Sequence, residues 1–367
     1  MFSSPAAPPV ASPSADAALR PLVIAHRGAS GYRPEHTRAA YELAIELGAD
    51  AIEPDIVATS DGVLVLRHEN EISGTTDIMF QSRFADRRTT KVIDGQSQTG
   101  WFTEDFTWAE LATLRAAERL PKIRRGSATF IGGGGILRLA DLLALLDAAG
   151  RPVKLVAEIK HPSYFASIGI DLAALFAAEI ADWATAENLI VECFEESALA
   201  AVKAHGIPGH YVYLVDKEGS APDLVASLGA AAPSYAAQLS EQSLAELATR
   251  IDGVSLNKQL VLKKDLLGHV HSTTDVVQRI HAAGLTAWVW TLRAENEFLA
   301  RNLRSGIIGR AIGEVSAAAY GNWMAEFTLI MQSGVDGVFA DQPDLALRAR
   351  AALAPPQAAA QPGASTE

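Results

Sequence analysis

Short apolar runs alternate along the chain with longer stretches in which apolar residues recur at helical spacing. The runs are Leu22–Ala25, Ala51–Val57, Val63–Leu66, Lys154–Ile159, Leu189–Cys193, Tyr211–Val215, Gly253–Leu256, Thr286–Trp290 and Gly337–Phe339. They are rich in Val, Ile and Leu, as strands covered on both faces should be. Helical periodicity marks Thr37–Leu47, Leu139–Ala149, Asp171–Thr185, Ser197–His205, Glu241–Arg250, Thr274–Ala283 and Pro343–Leu353. Strand–helix alternation predicts a parallel sheet with right-handed crossovers. About eight such units favour a (β/α)8 TIM barrel over a doubly wound open sheet.

Two segments break this rhythm. Residues 69–138 are rich in Arg, Thr, Asp and Gly and include Gly132–Gly135. A structureless loop of that length is improbable, so a small subdomain inserted after the second strand is expected. Residues 294–334 form the second break, with helical stretches expected around Ala294–Arg304 and Ala317–Gln332. The barrel is thus expected over residues 21–353. A disordered Ala/Pro/Ser-rich leader (1–20) and a disordered tail (354–367) would flank it.

Composition narrows the chemistry. The 367 residues are 49% hydrophobic and 20% charged, which is enough apolar material for a core. A net charge of −12 argues against sequence-independent nucleic-acid binding, which needs Lys and Arg to displace counterions. Any anionic substrate must meet a local positive site. Cys193 is the single cysteine, so an intramolecular disulfide is impossible and a cysteine zinc site is not expected. No apolar run reaches transmembrane length. Met1–Ala18 lacks a basic start and an apolar centre, so as written it is not a signal peptide.

Chemistry-bearing residues collect at the ends of predicted strands, where a barrel builds its site. Ala25-His26-Arg27-Gly28 supplies a proton carrier and a phosphate-matching guanidinium. Glu53 and Asp55 are two apart on one run, so they leave on the same face. Two inward carboxylates are costly without a cation, and oxygen-only ligation suits Mg²⁺, Ca²⁺ or Mn²⁺. Pro54 between them makes that strand irregular. His68 ends another run and gives a second histidine for acid–base work. Glu158 and Lys160 share a face; the acid can complete a three-carboxylate metal site and the lysine can bind a phosphoryl oxygen. Trp290 and Phe194 can line the mouth and pack on substrate, while Asp341 and Asp344 read as helix-start acids and His161 has no assigned role. Each motif has a plainer reading: a packing histidine, a helix-start acid at Glu35, a strand-end salt bridge or a core tryptophan. Their ordered combination is what carries specificity.

The series His26-Arg27-Gly28, Pro34-Glu35-x-Thr37, Glu53-x-Asp55, Asp61-Gly62, His68, Glu158-x-Lys160 and Trp290-Thr291 resembles the glycerophosphodiester phosphodiesterases over roughly residues 22 to 350. Gly74–Trp101 and Lys160–Phe165 resemble the longer, periplasmic or secreted bacterial branch. The resemblance implies a divalent cation on Glu53, Asp55 and Glu158, an acid–base pair in His26 and His68, and phosphate contacts from Arg27 and Lys160. It implies hydrolysis of a glycerophosphodiester to glycerol 3-phosphate and an alcohol. It also implies a periplasmic, secreted or envelope location, with a cytoplasmic one left open. His36 stands where much of the family has Asn and is expected to touch no proposed ligand. Three rival readings share features with this one. A lysophospholipase D-like or sphingomyelinase D-like enzyme would differ in the acyl tail of its substrate. A barrel that only binds phosphodiesters would need neither histidine. An amidohydrolase would want His-x-His on the first strand, which is absent.

Overall fold

The computed structural model describes residues 20–130, 134–306 and 316–353. Within them a parallel barrel forms from β1 (Leu22–His26), β2 (Ala51–Glu53, resuming after Pro54 as Asp55–Ala58), β3 (Lys154–Ile159), β4 (Leu189–Cys193), β5 (His210–Val215), β6 (Gly253–Asn257), β7 (Thr286–Leu292) and β8 (Gly337–Ala340). Each strand pairs with the next in sequence, and β8 closes the ring on β1. Pro54 interrupts β2 because it has no amide hydrogen to give. The register survives the gap: Ala51 lies opposite Lys154 and Asp55 opposite Glu158.

Alternation along these strands sorts two cores. A large cluster, including Val23, Ala25, Leu155, Ala157, Val191 and Val289, packs under the helices. A separate cluster of Ile24, Ala51, Val156, Ile190, Val212, Trp288 and Phe339 draws one side chain from every strand except β6 and fills the barrel interior. Side chains two positions further along each strand share that inward face. Those positions are His26, Glu53, Glu158, Glu192, Leu214, Trp290 and Asp341. The chemistry is therefore the next layer of the interior, stacked on its apolar floor toward the carboxyl end.

The first helix, Arg38–Glu46, starts where expected: the Thr37 side chain accepts from the Ala40 amide at 3.2 Å. Gly28 lets the chain turn tightly against it. Its φ is +81°, and a Cβ there would stand 2.7 Å from the Ala40 carbonyl carbon.

Several expectations need correction. Val63–Leu66 contributes no barrel strand; Leu64–Leu66 folds back antiparallel onto Asp55–Ala58 as a hairpin arm. In 294–334, the helix expected over Ala294–Arg304 is reduced to one turn, Arg301–Leu303, and the second is shorter, Trp323–Met331. The inserted region carries an antiparallel hairpin, Thr89–Ile93 with Gln96–Gly100, and short helical turns. Gly132 and Gly133, the leader to residue 19 and the tail from residue 354 lie outside the described residues. No helix among the described residues is long and apolar enough to cross a membrane.

Candidate active site

A cavity of about 580 Å³ opens above the apolar floor. Its lining includes His26, Arg27, Glu53, His68, Glu158, Lys160, Glu192, Phe194 and Trp290. Eight of the nine site residues read from the sequence thus line one hollow. Asp55, the ninth, is fully buried just behind it.

Register explains how the acids meet. His26 lies opposite Glu53 across β1 and β2, Asp55 opposite Glu158 across β2 and β3, and Glu158 opposite Glu192 across β3 and β4. Glu53, Glu158 and Glu192 each direct a carboxylate oxygen to within 4.8 Å of the others. Glu53 Oε1 and Glu192 Oε2 are buried without a hydrogen-bond partner. Burial first, then neighbouring acids, holds the Glu53 and Glu192 carboxyls well above the usual range. Burial, then Asp55, pushes Glu158 up to about 8 against the pull of Lys160.

Asp55 has a different environment from the one expected. Its Oδ2 lies 3.0 Å from Arg27 Nε as an ion pair and hydrogen-bonds His36 Nε2 at 2.9 Å, and its Oδ1 lies 3.3 Å from Lys160 Nζ. Despite burial, Lys160 and Arg27 hold its carboxyl well below the usual range. The converging acid that sequence reading missed is Glu192. Its signal was to be the single charged residue in the doubly covered strand Leu189–Cys193. His36 was expected to touch no proposed ligand, and it does touch one. Clamped between Tyr41 and Asp55, it orients that carboxylate.

Both histidines are held by acids. His26 Nδ1 lies 2.6 Å from Asp341 Oδ1, and His68 Nδ1 lies 2.5 Å from Glu69 Oε1. An ionised carboxylate only accepts, so Nδ1 carries the hydrogen and Nε2 keeps its lone pair. Asp341 is more than a helix-start acid: it also takes Arg293 and Arg124, and those bases with His26 hold its carboxyl well below the usual range despite burial. Arg119 braces the other side, bonding Glu35 and Glu69. Glu35, read as a helix-start acid, is buried and bridges Arg27 to Arg119. Burial first, then Arg27, pushes His26 down to about 4 and His68 to about 3, so both are neutral at pH 7.

Strain marks the same rim. Arg27, His36 and His161 sit at φ of +58°, +57° and +52°. Non-glycine residues hold that conformation when surrounding contacts over-determine it. The Arg27 amide, for example, donates to the Glu53 carboxylate at 2.7 Å.

Comparison with known proteins identifies the family and the barrel. The model of the glycerophosphoryl diester phosphodiesterase family matches residues 26–345. The chain belongs to that family. A glycerophosphodiester phosphodiesterase of Arabidopsis thaliana is 29% identical over 351 residues, covering 88% of this chain and 84% of its own. A probable glycerophosphodiester phosphodiesterase of Mycobacterium tuberculosis is 36% identical over 148 residues, covering 40% of this chain and 46% of its own. A putative glycerophosphoryl diester phosphodiesterase structure from Silicibacter pomeroyi superposes with a TM-score of 0.61 at 19% identity, over 92% of this chain and 96% of that one. An Oleispira antarctica phosphodiesterase, solved with its product sn-glycerol-3-phosphate, gives 0.55 at 19% identity, over 90% and 96%. As a glycerophosphoryl diester phosphodiesterase family member, this chain keeps the family's barrel with its candidate chemistry at the carboxyl ends of the strands.

Proposed function

We propose that this protein hydrolyses glycerophosphodiesters to glycerol 3-phosphate and an alcohol, using a divalent cation and the His26–His68 pair. The supporting observation is the pairing of two neutral histidines, each held at Nδ1 by a carboxylate, with a buried acid cup on the same cavity. The cup suits a hard cation. Three buried carboxylates, two with orphaned oxygens, are unfavourable until a positive charge lies among them. Glu53, Glu158 and Glu192 would hold it, with Asp55 beside them, and all-oxygen donors favour Mg²⁺, Ca²⁺ or Mn²⁺. When bound, the cation supplies charge for a phosphate oxygen and lowers the pKa of the attacking oxygen.

The chain's own groups do the rest. Arg27 and Lys160 sit beside the acids and offset charge on the remaining phosphate oxygens. One histidine takes a proton at Nε2 from the nucleophile. The other delivers one to the leaving alcohol. An anionic phosphate offsets the positive charge of Arg27 that depresses both imidazoles, so substrate binding itself favours protonating the acid partner. The nucleophile is water, or the adjacent glycerol hydroxyl by way of a cyclic phosphate. Product analysis in ¹⁸O water separates these routes.

The deciding experiment is EDTA-stripped protein assayed on glycerophosphocholine, with Mg²⁺, Ca²⁺ and Mn²⁺ returned separately. Release of glycerol 3-phosphate should stop on stripping and return with at least one ion. Undiminished turnover without metal, or none with any ion, refutes the reading.

A further inference from the structure

A second group of metal-ligating side chains lies away from the cavity, in the loop that follows β6. There Leu262–Lys264 pairs antiparallel with Val270–Thr273. The turn between them gathers Asp265, His269 and His271, each offering a donor atom within 4.8 Å of the others. None of the three lines the cavity of the acid cup.

Local structure aims these donors at one point. The hairpin register slips: Lys263 lies opposite Ser272 and Lys264 opposite Val270, so His271 is the extra residue of a bulge. A bulge re-aims its side chain. The His269 and His271 rings stand 6.4 Å apart between centroids and close to perpendicular, at 79°. The turn fixes the acid. Asp265 Oδ1 accepts the Leu267 and His269 amides at 2.9 and 2.8 Å, and Gly268, at φ +77°, lets the chain close so tightly. Oδ2 is left facing His269 Nδ1 at 3.4 Å. A charge-assisted hydrogen bond between such groups is shorter, about 2.7–2.9 Å. Neighbouring donors on a tetrahedral ion, each bonded at about 2.1 Å, stand about 3.4 Å apart. Asn302 anchors the frame: its side chain accepts from the Val270 amide at 3.0 Å and donates to the Val270 carbonyl at 2.9 Å.

Two imidazoles with one carboxylate differ in kind from the cup. Oxygen-only donors suit hard ions, whereas imidazole nitrogen suits zinc and its transition-metal neighbours. We propose that Asp265, His269 and His271 form a Zn²⁺ site that ties the turn to the returning strand, with water as the fourth ligand. The site clips the loop after β6 and takes no part in the acid–base chemistry, so it stands independently of the hydrolytic reading.

The test is a calorimetric titration of the whole chain with Zn²⁺, in excess Mg²⁺. Wild type should show a zinc-binding step that excess Mg²⁺ does not suppress. His269→Ala and His271→Ala should each weaken that step at least about tenfold, since losing even an outer-shell partner costs that much. Zinc taken into the acid cup binds wild type and variants alike, so the difference isolates this site. Zinc uptake that is equal in all three proteins overturns the proposal, as does no uptake by wild type. A second measurement needs no variant. One equivalent of Cu²⁺ on wild type should give an electron paramagnetic resonance spectrum with couplings from two imidazole nitrogens; an oxygen-only spectrum overturns the site.

Discussion

Returning a divalent cation to the stripped protein should release protons. Without a cation, Glu53 and Glu192 are held well above the carboxylate range and Glu158 at about 8, all chiefly by burial. At pH 7 the cup therefore carries protons that a hard cation must displace. Raising Glu158 from 4.5 to about 8 corresponds to roughly 5 kcal/mol of resistance to ionisation, at about 1.4 kcal/mol per unit. Each proton released makes affinity rise about tenfold per pH unit, so one proton gives about 100-fold between pH 6 and 8. Isothermal titration in buffers of different ionisation enthalpy counts the protons directly. Stability follows the same accounting. An acid whose folded pKa is raised contributes stability below its unfolded value, and loses it as pH rises through the folded one. The histidines act oppositely: their contribution is present above 6.5 and is lost as pH falls toward about 4 for His26 and about 3 for His68. From pH 6.5 to 8 these two histidines no longer oppose the cup acids. Metal-free protein should melt at falling temperature across that interval, and the cation should reverse the fall. Glu192→Gln should reduce both the proton count and the pH slope. A pH-independent metal affinity with a flat metal-free melting profile would refute the protonated cup.

Other consequences are equally open to measurement. His26→Ala and His68→Ala should each lower kcat by about 10²–10⁴ while melting near the wild-type temperature; near-normal turnover removes that histidine from the mechanism. Asp341→Asn should lower kcat on the order of 10³ by losing the tautomer that frees His26 Nε2, and it strands Arg124 and Arg293. A kcat within threefold of wild type contradicts the positioning role. Trp288→Ala should cost about 3–5 kcal/mol in urea unfolding, because the ring fills the barrel floor with Phe339. Gly28→Ala should lower stability by at least about 1 kcal/mol, since it combines a positive φ with a 2.7 Å approach to Ala40; an unchanged midpoint refutes that packing constraint.

Much of this protein was legible as one-dimensional pattern. Runs of Val, Ile and Leu located all eight barrel strands, because a strand covered on both faces tolerates little else. The two-residue period put Glu53 with Asp55 and Glu158 with Lys160 on shared faces, and Glu53, Glu158 and Lys160 line one cavity with Asp55 buried behind it. The same period applied to Leu189–Cys193 reaches Glu192, so that omission was one of reading and not of signal. What stayed hidden depends on closure. Asp341 is 315 residues from His26 and becomes its partner only because β8 returns to β1. Arg119 and Arg124 look like ordinary charged residues of an insertion, yet that insertion folds back to brace Glu35, Glu69 and Asp341. The antiparallel course of Leu64–Leu66 was likewise invisible, since a short apolar run carries no direction. Periodicity along a chain reports which face a side chain leaves. Which distant side chain it meets there, and hence its charge state, is set by strand order, register and burial, and these exist only in the closed fold.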